Sequence, residues 1–146
     1  MEPPRIAWIG EDDVGNAVLG ALGWARFAAP DWRGLRRARV EVVVARGGPA
    51  LLRTAAWSAT LGGALAVIAS PTGPVAPLPW WERRFLRYLL RSQAEARAWR
   101  AVGVALGRLV VVEPGEGEAE AEALLAICTE AASMGRRPGR VSRTGS

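Results

Sequence analysis

Short apolar runs alternate with stretches of helical periodicity along this chain of 146 residues. An apolar run between turn residues predicts a buried strand, and apolar positions three and four apart predict an amphipathic helix. The predicted strands are residues 6–9, 24–28, 40–45, 65–69 and 109–112. The predicted helices are residues 14–22, 49–61 and 80–106, and residues 30–39 form an arginine-rich loop with some helical turn. This alternation predicts an α/β fold with a mostly parallel sheet, in a single domain over residues 1–134.

The last part of the chain gives a weaker pattern. Residues 113–122 are an acidic turn of Gly, Glu and Ala, and residues 123–129 fit either a last strand or a short helix. Arg136, Arg137, Arg140 and Arg143 lie in the last eleven residues, which contain no acid. Subtracting these four charges from the net charge of +5 leaves +1 for the rest of the chain. We therefore predict a basic flexible tail over residues 135–146, which either contacts phosphate or is simply solvated.

The composition excludes several kinds of chemistry. The chain has no histidine, and all 19 basic residues are arginine. A Ser-His-Asp triad, a histidine-ligated metal, a P-loop lysine and a lysine Schiff base are therefore ruled out. The single cysteine, Cys128, excludes an intrachain disulfide and a cysteine-rich zinc site, and we expect no bound metal.

The uncharged stretch over residues 54–81 is the segment that most suggests a membrane span. Gly62, Gly63 and four prolines interrupt it, so no apolar run approaches the ~20 residues that a span needs. Near the start of the chain, three acids follow the first apolar run, which does not fit a secretory signal. We therefore expect a cytoplasmic protein that does not enter a membrane.

The loop after the first strand is a candidate ligand site. Its sequence, Gly10-Glu-Asp-Asp-Val-Gly15, lacks the middle glycine of a dinucleotide-binding loop and places acids where a pyrophosphate would lie. An acid at a strand end can instead bind ribose hydroxyls, and Glu11 and Asp12 are candidates. The alternative is a solvated helix start, at which the helix dipole favours acids.

A longer pattern begins in the third predicted strand. It runs as Glu41-Val-Val-Val-Ala-Arg46-Gly-Gly-Pro-Ala-Leu51, then a helix, Gly62-Gly63 and an apolar strand. It continues through Gly107-Arg-Leu-Val-Val-Val-Glu-Pro114 to the basic segment Arg136-Arg-Pro-Gly-Arg140. In order and spacing, this part of the chain resembles the ribosomal RNA small-subunit methyltransferase G family, also called GidB.

The resemblance implies a Rossmann-like class I methyltransferase sandwich that binds S-adenosylmethionine. Arg46 matches the family's cofactor-site arginine, and Glu11 is the nearest match to the acid that holds the ribose. Pro30 and Asp31 fall near the residues that lie beside the adenine in the family. The family's first strand and glycine-rich cofactor loop have no counterpart, so the expected sandwich is incomplete on its N-terminal side. Whether the chain is active is left open, and no catalytic residue is assigned.

The reaction implied by the resemblance suits the composition. The family's product is a methyl group on guanine N7 of small-subunit ribosomal RNA. Guanine N7 is already an exposed acceptor at neutral pH, so no proton has to be removed before methyl transfer. Proximity and in-line orientation can supply the catalysis, and neither histidine nor lysine is needed.

A protein that binds RNA needs basic side chains for the phosphates and aromatic side chains for the bases. Trp80 and Trp81 stand beside Arg83 and Arg84, the best such cluster for stacking on an unpaired base. The same cluster also fits a hydrophobic anchor at a helix start. Further phosphate contacts are expected from the tail residues Arg136, Arg137 and Arg140.

Two other functions stay open. One is a non-catalytic RNA-binding or interaction domain on the same fold. The other is a remnant of a short-chain dehydrogenase, because Ser70 is followed by a predicted helix that contains Tyr88. That family's Tyr-x-x-x-Lys motif would place its lysine at Ser92, and the chain has no lysine.

Overall fold

The computed structural model describes residues 4–10, 25–27, 29–73, 75, 86–112 and 117–144, with side chains in the last range only at 119 and 121–134. Within these ranges the protein has six strands and four α-helices. The strands are β1 (Ile6–Gly10), β2 (Ala25–Phe27), β3 (Val42–Gly47), β4 (Ala66–Pro71), β5 (Arg87–Leu90) and β6 (Leu109–Val111). The helices are α1 (Trp32–Arg37), α2 (Pro49–Leu61), α3 (Gln93–Ala101) and α4 (Gly117–Thr144), and a short 3-10 helix spans Leu106–Arg108.

The six strands form one parallel sheet in the order β2-β1-β3-β4-β5-β6. The first five strands have the order of a doubly wound sheet of the 2-1-3-4-5 kind, and β6 extends it. β1 pairs directly with β3, from Ile6 opposite Val42 to Gly10 opposite Arg46. The predicted α/β class with a parallel sheet is therefore confirmed.

Helices cover both faces of this sheet. Side chains alternate between the faces along each strand, so Val43 and Ala45 of β3 join a core with α1, α2 and α3. Val42 and Val44 point the other way and pack with α4 through residues such as Leu124. Burial on both faces explains why these strands are continuous apolar runs rather than alternating ones.

Most of the predicted elements are confirmed to within a residue or two. All five predicted strands form, and the helix predicted over residues 49–61 is α2, with Pro49 in its first turn. The arginine-rich segment 30–39 contains the short helix α1. The helix predicted over residues 14–22 lies outside the described residues.

The helix predicted over residues 80–106 is wrong for residues 87–90, which form β5. Its supposed apolar stripe contained Leu89 and Leu90, which are buried on opposite faces of the sheet. A new helix, α3, begins after Ser92, whose hydroxyl accepts a hydrogen bond from the backbone N–H of Glu95 at 3.2 Å. The Ser-x-x-Glu pattern is a helix-start signal, and it marks the break that the apolar spacing concealed.

The ambiguous segment 123–129 is helical and belongs to α4. Its buried positions include Leu124, Cys128, Ala131 and Ala132, which recur at helical spacing and face the sheet. The same helix continues through residues 135–144, most of the segment that we predicted as a flexible tail.

In the described part of the chain, no helix has the length and apolar character needed to cross a membrane. Nor does that part bring together three or more acidic or cysteine side chains that could hold a metal ion.

Candidate functional site

The strand order has a switch point between β1 and β3, the place at which open parallel sheets form a crevice. The chain passes from β1 to β2 on one side and returns to β3 on the other side. In open parallel sheets, ligands bind at such a switch point, beyond the carboxyl ends of the strands. The residues that end β1 and β3 are therefore the first candidates for a site.

Gly10 ends β1 in a conformation that a larger residue would not tolerate. Its φ is 100°, in the left-handed region that favours glycine. A Cβ at this position would lie 2.6 Å from Cδ2 of Leu51 and would overlap the carbonyl oxygen of Arg46. The end of β1 is therefore in close backbone contact with β3, its neighbour in the sheet.

Arg46 and Ser70 are joined across the ends of β3 and β4. They are register partners, and Nη1 of Arg46 donates a hydrogen bond of 2.7 Å to Oγ of Ser70. Ser70 is only 1% exposed, whereas Arg46 is half-buried. Gly10 is the register partner of Arg46 on its other side, so three adjacent strands bring these residues into one row.

The start of α2 adds backbone donors to this edge. The helix follows β3 after Gly48, its N-cap, and the first N–H groups of a helix have no partner within that helix. A Cβ at Gly48 would meet nothing within 4 Å among the described residues. A positive guanidinium and a hydroxyl thus lie together at the carboxyl edge of the sheet, and the start of α2 follows β3 at the same edge. Each of these groups suits a carboxylate or a phosphate.

Sequence reasoning missed the residues that fix the neighbouring strand end. The backbone N–H of Arg91, just after β5, donates to Oε2 of Glu95 at 2.7 Å. Together with the cap at Ser92, this contact makes a reciprocal link between the strand end and α3. Ser92 and Glu95 are three residues apart, so the sequence contained the signal for this link.

The predicted cofactor residues do not all meet. Arg46 lies at the end of β3, beside the switch point, and Glu11 is outside the described residues. Pro30 and Asp31 lead into α1, and the carbonyl oxygen of Trp32 would lie 3.2 Å from a Cβ at Gly62. Gly62 follows the last turn of α2, about 20 Å along the helix from the end beside Arg46. Trp32, which follows Pro30 and Asp31, therefore lies near the end of α2 that is opposite to Arg46, and the predicted contact of Pro30 and Asp31 with adenine stays a prediction.

The structure does not describe the side chains of the predicted RNA-binding residues. Trp80, Trp81, Arg83 and Arg84 lie outside the described residues. The positions Arg136, Arg137 and Arg140 belong to α4, in the part of that helix where only the backbone is described.

Two side chains with reactive groups are held in the core. Cys128 is 1% exposed on the α4 side, and burial raises the pKa of its thiol to about 12. Tyr88 is 1% exposed in β5, where its ring stacks on Trp99 with the centroids 5.2 Å apart. Tyr88 lies on β5 and not on a helix, whereas the short-chain dehydrogenase alternative required a helix that contains Tyr88.

Comparison with known proteins adds no family to this picture. No protein-family model matches the sequence, and no curated protein matches it significantly. What the structure shows is the fold, an α/β protein with a six-stranded parallel sheet whose strand order has a switch point between β1 and β3.

Proposed function

We propose that this chain binds S-adenosylmethionine at the carboxyl ends of β1 and β3 and is a methyltransferase-like protein. The observation that carries the proposal is the Arg46 side chain, held by Ser70 beside Gly10 at the switch point of a doubly wound sheet. The sequence around Arg46 is also the part that most resembles the ribosomal RNA methyltransferase G family.

The donor set fits one end of that cofactor. S-adenosylmethionine carries a carboxylate, and Arg46 offers a charge-assisted hydrogen bond to such a group. The hydroxyl of Ser70 already binds one arm of the guanidinium, so the side chain is oriented before a ligand arrives. Glu11 follows Gly10 in the chain and is the proposed partner of the ribose hydroxyls. When bound, the cofactor would supply an activated methyl group.

The substrate proposed from the resemblance is guanine N7 of small-subunit ribosomal RNA. The residues of this chain would bind and orient that base rather than remove a proton from it. The buried Cys128, with its raised pKa, is not suited to act as a nucleophile, which agrees with this assignment. Trp80, Trp81, Arg83 and Arg84 remain the proposed RNA contacts.

Calorimetric titration with S-adenosylmethionine and S-adenosylhomocysteine tests the proposal. We expect binding by the wild type and a loss of about 10-fold or more for Arg46→Gln, because a charged hydrogen bond contributes about 1.5–3 kcal/mol. Arg97→Gln is the matched control, since Arg97 is exposed on α3 and the charge change is the same.

Absence of binding at about 1 mM ligand would overturn the proposal. Equal binding by the wild type and Arg46→Gln would remove Arg46 from the site. Binding of a nicotinamide dinucleotide instead would assign the crevice to a different class of cofactor.

A further inference from the structure

A second surface, remote from the crevice, combines tryptophan and arginine side chains. It is formed by α1 and the outer side of α2, and we call it the Trp–Arg face. Its members are Trp32, Arg33, Arg36, Arg37, Arg39, Arg53, Trp57 and Leu61.

This surface rests on a buried anchor. Leu35 is the buried residue of α1, with 0% exposure, and its Cβ would lie 3.1 Å from a Cβ at Gly62. The missing side chain of Gly62 therefore lets α1 sit directly on the end of α2. Leu61 precedes Gly62 and Trp57 lies one turn earlier, so the end of α2 that carries these exposed side chains is also the end that packs against α1.

Trp57 and Leu61 of this surface are largely exposed, and Trp32 is partly exposed. Trp57 is 61% exposed, Trp32 is 37% exposed and Leu61 is 55% exposed. The guanidinium of Arg33 lies 5.2 Å from the ring centroid of Trp32, which is a cation–π contact. Exposed tryptophans next to arginines offer flat faces on which bases can stack.

The charge around these rings has one sign. Residues 32–39 contain four arginines and no acid, and all four are exposed. Arg53 is exposed on α2. The flanking acids are Asp31 and Glu41, and Oε1 of Glu41 accepts a hydrogen bond from the backbone N–H of Arg5 at 3.2 Å. The surface is thus complementary to a polyanion.

We infer that the Trp–Arg face binds single-stranded nucleic acid, with arginines on the phosphates and Trp57 against a base. A purely apolar protein partner would not use five arginines, and an intact duplex keeps its base faces stacked inside. The inference does not depend on the proposed cofactor, because no residue of this face is a proposed cofactor contact, and α1 and Leu61 lie near the end of α2 that is opposite to Arg46.

The first test measures fluorescence anisotropy of a labelled oligouridylate of about 12 nucleotides at several salt concentrations. The double variant Arg36→Gln/Arg37→Gln is compared with Arg97→Gln/Arg100→Gln, which removes two exposed arginines from α3. We expect the first variant to bind about 10-fold more weakly and to lower the salt slope by about 1.4, the value for two phosphate contacts on a single strand. The second variant should bind like the wild type.

A second test separates stacking from charge. Trp57→Ala should weaken binding about 10-fold, and Trp57→Phe should restore most of it, because a phenyl ring also stacks. The exposed position of Trp57 means that both variants should fold, which circular dichroism checks.

Three results would overturn the inference. The first is an equal loss of affinity in the α1 and α3 arginine variants, which would mean that net charge alone explains the weaker binding. The second is equal affinity for a duplex of the same length. The third is a wild-type dimer in sedimentation that Trp57→Ala converts to a monomer without any nucleic acid binding, which would make this face an interface between copies.

Discussion

Arg46 and Ser70 are 24 residues apart in the chain, yet a 2.7 Å hydrogen bond joins them at the carboxyl edge of the sheet. The pairing results from strand register, which places them opposite each other on β3 and β4. This hydrogen bond fixes the orientation of the Arg46 guanidinium beside the switch point.

The first prediction concerns Ser70. Ser70→Ala should lower the free energy of unfolding by about 1–3 kcal/mol, because the half-buried guanidinium of Arg46 loses its hydrogen bond to Oγ. Ser70→Thr keeps the hydroxyl and should recover part of the loss. Urea denaturation followed by fluorescence measures both. A Ser70→Ala protein as stable as the wild type would show that the hydrogen bond contributes nothing.

The second prediction concerns the end of β1. Gly10→Ala should destabilise the protein by at least about 1–3 kcal/mol, since a side chain is strained at a φ of 100° and would overlap β3. Gly107→Ala is the control, because a Cβ there meets no atom within 4 Å. The control should change the free energy of unfolding by no more than about 1 kcal/mol. Similar midpoints in urea for both variants would contradict the strain at Gly10.

The third prediction concerns the start of α3. Ser92→Ala should cost about 1 kcal/mol, the usual effect of losing an N-cap. Glu95→Ala should cost a similar amount, because Arg91 then loses the acceptor of its backbone N–H. The double variant should cost less than the sum of the single changes if the two contacts form one unit. Full additivity in a double-mutant cycle would indicate independent contacts.

The fourth prediction concerns Cys128. Its pKa is about 12 in the folded protein and 9.0 as the ordinary value, so ionisation favours the unfolded state. Below pH 9 this contribution to stability is complete, and it should fall by about 1.4 kcal/mol per pH unit as the pH rises toward 12. Comparing unfolding of the wild type and Cys128→Ala across that range isolates this contribution. A thiol reagent that modified the native protein rapidly at pH 8 would contradict the burial.

The sequence predicted correctly those parts of the fold in which the hydrophobic pattern fitted only one kind of secondary structure. The valine-rich run of β3 and the Pro49–Leu61 helix between turn residues are examples. The segment around Leu89 failed because a short, fully buried run satisfies helical and extended spacing equally well. Only its pairing with β4 and β6 makes it a strand.

The candidate site was predictable only in part. Arg46 was identified through the local motif that contains it, but its partner Ser70 depends on a register that no local motif encodes. Asp31 was expected beside the adenine from the family resemblance, and this stays a prediction. The partner of Arg46 was decided by long-range strand pairing.

The position of α4 in the chain has a consequence for synthesis. This helix covers the face of the sheet that includes Trp8, Val42 and Val44, yet its buried residues extend to Ala132. A nascent chain that has completed β3 and β4 therefore lacks the α4 cover of this face until residues up to Ala132 have left the ribosome. During that interval the sheet is prone to aggregation, and final docking of α4 should be the step that makes folding cooperative.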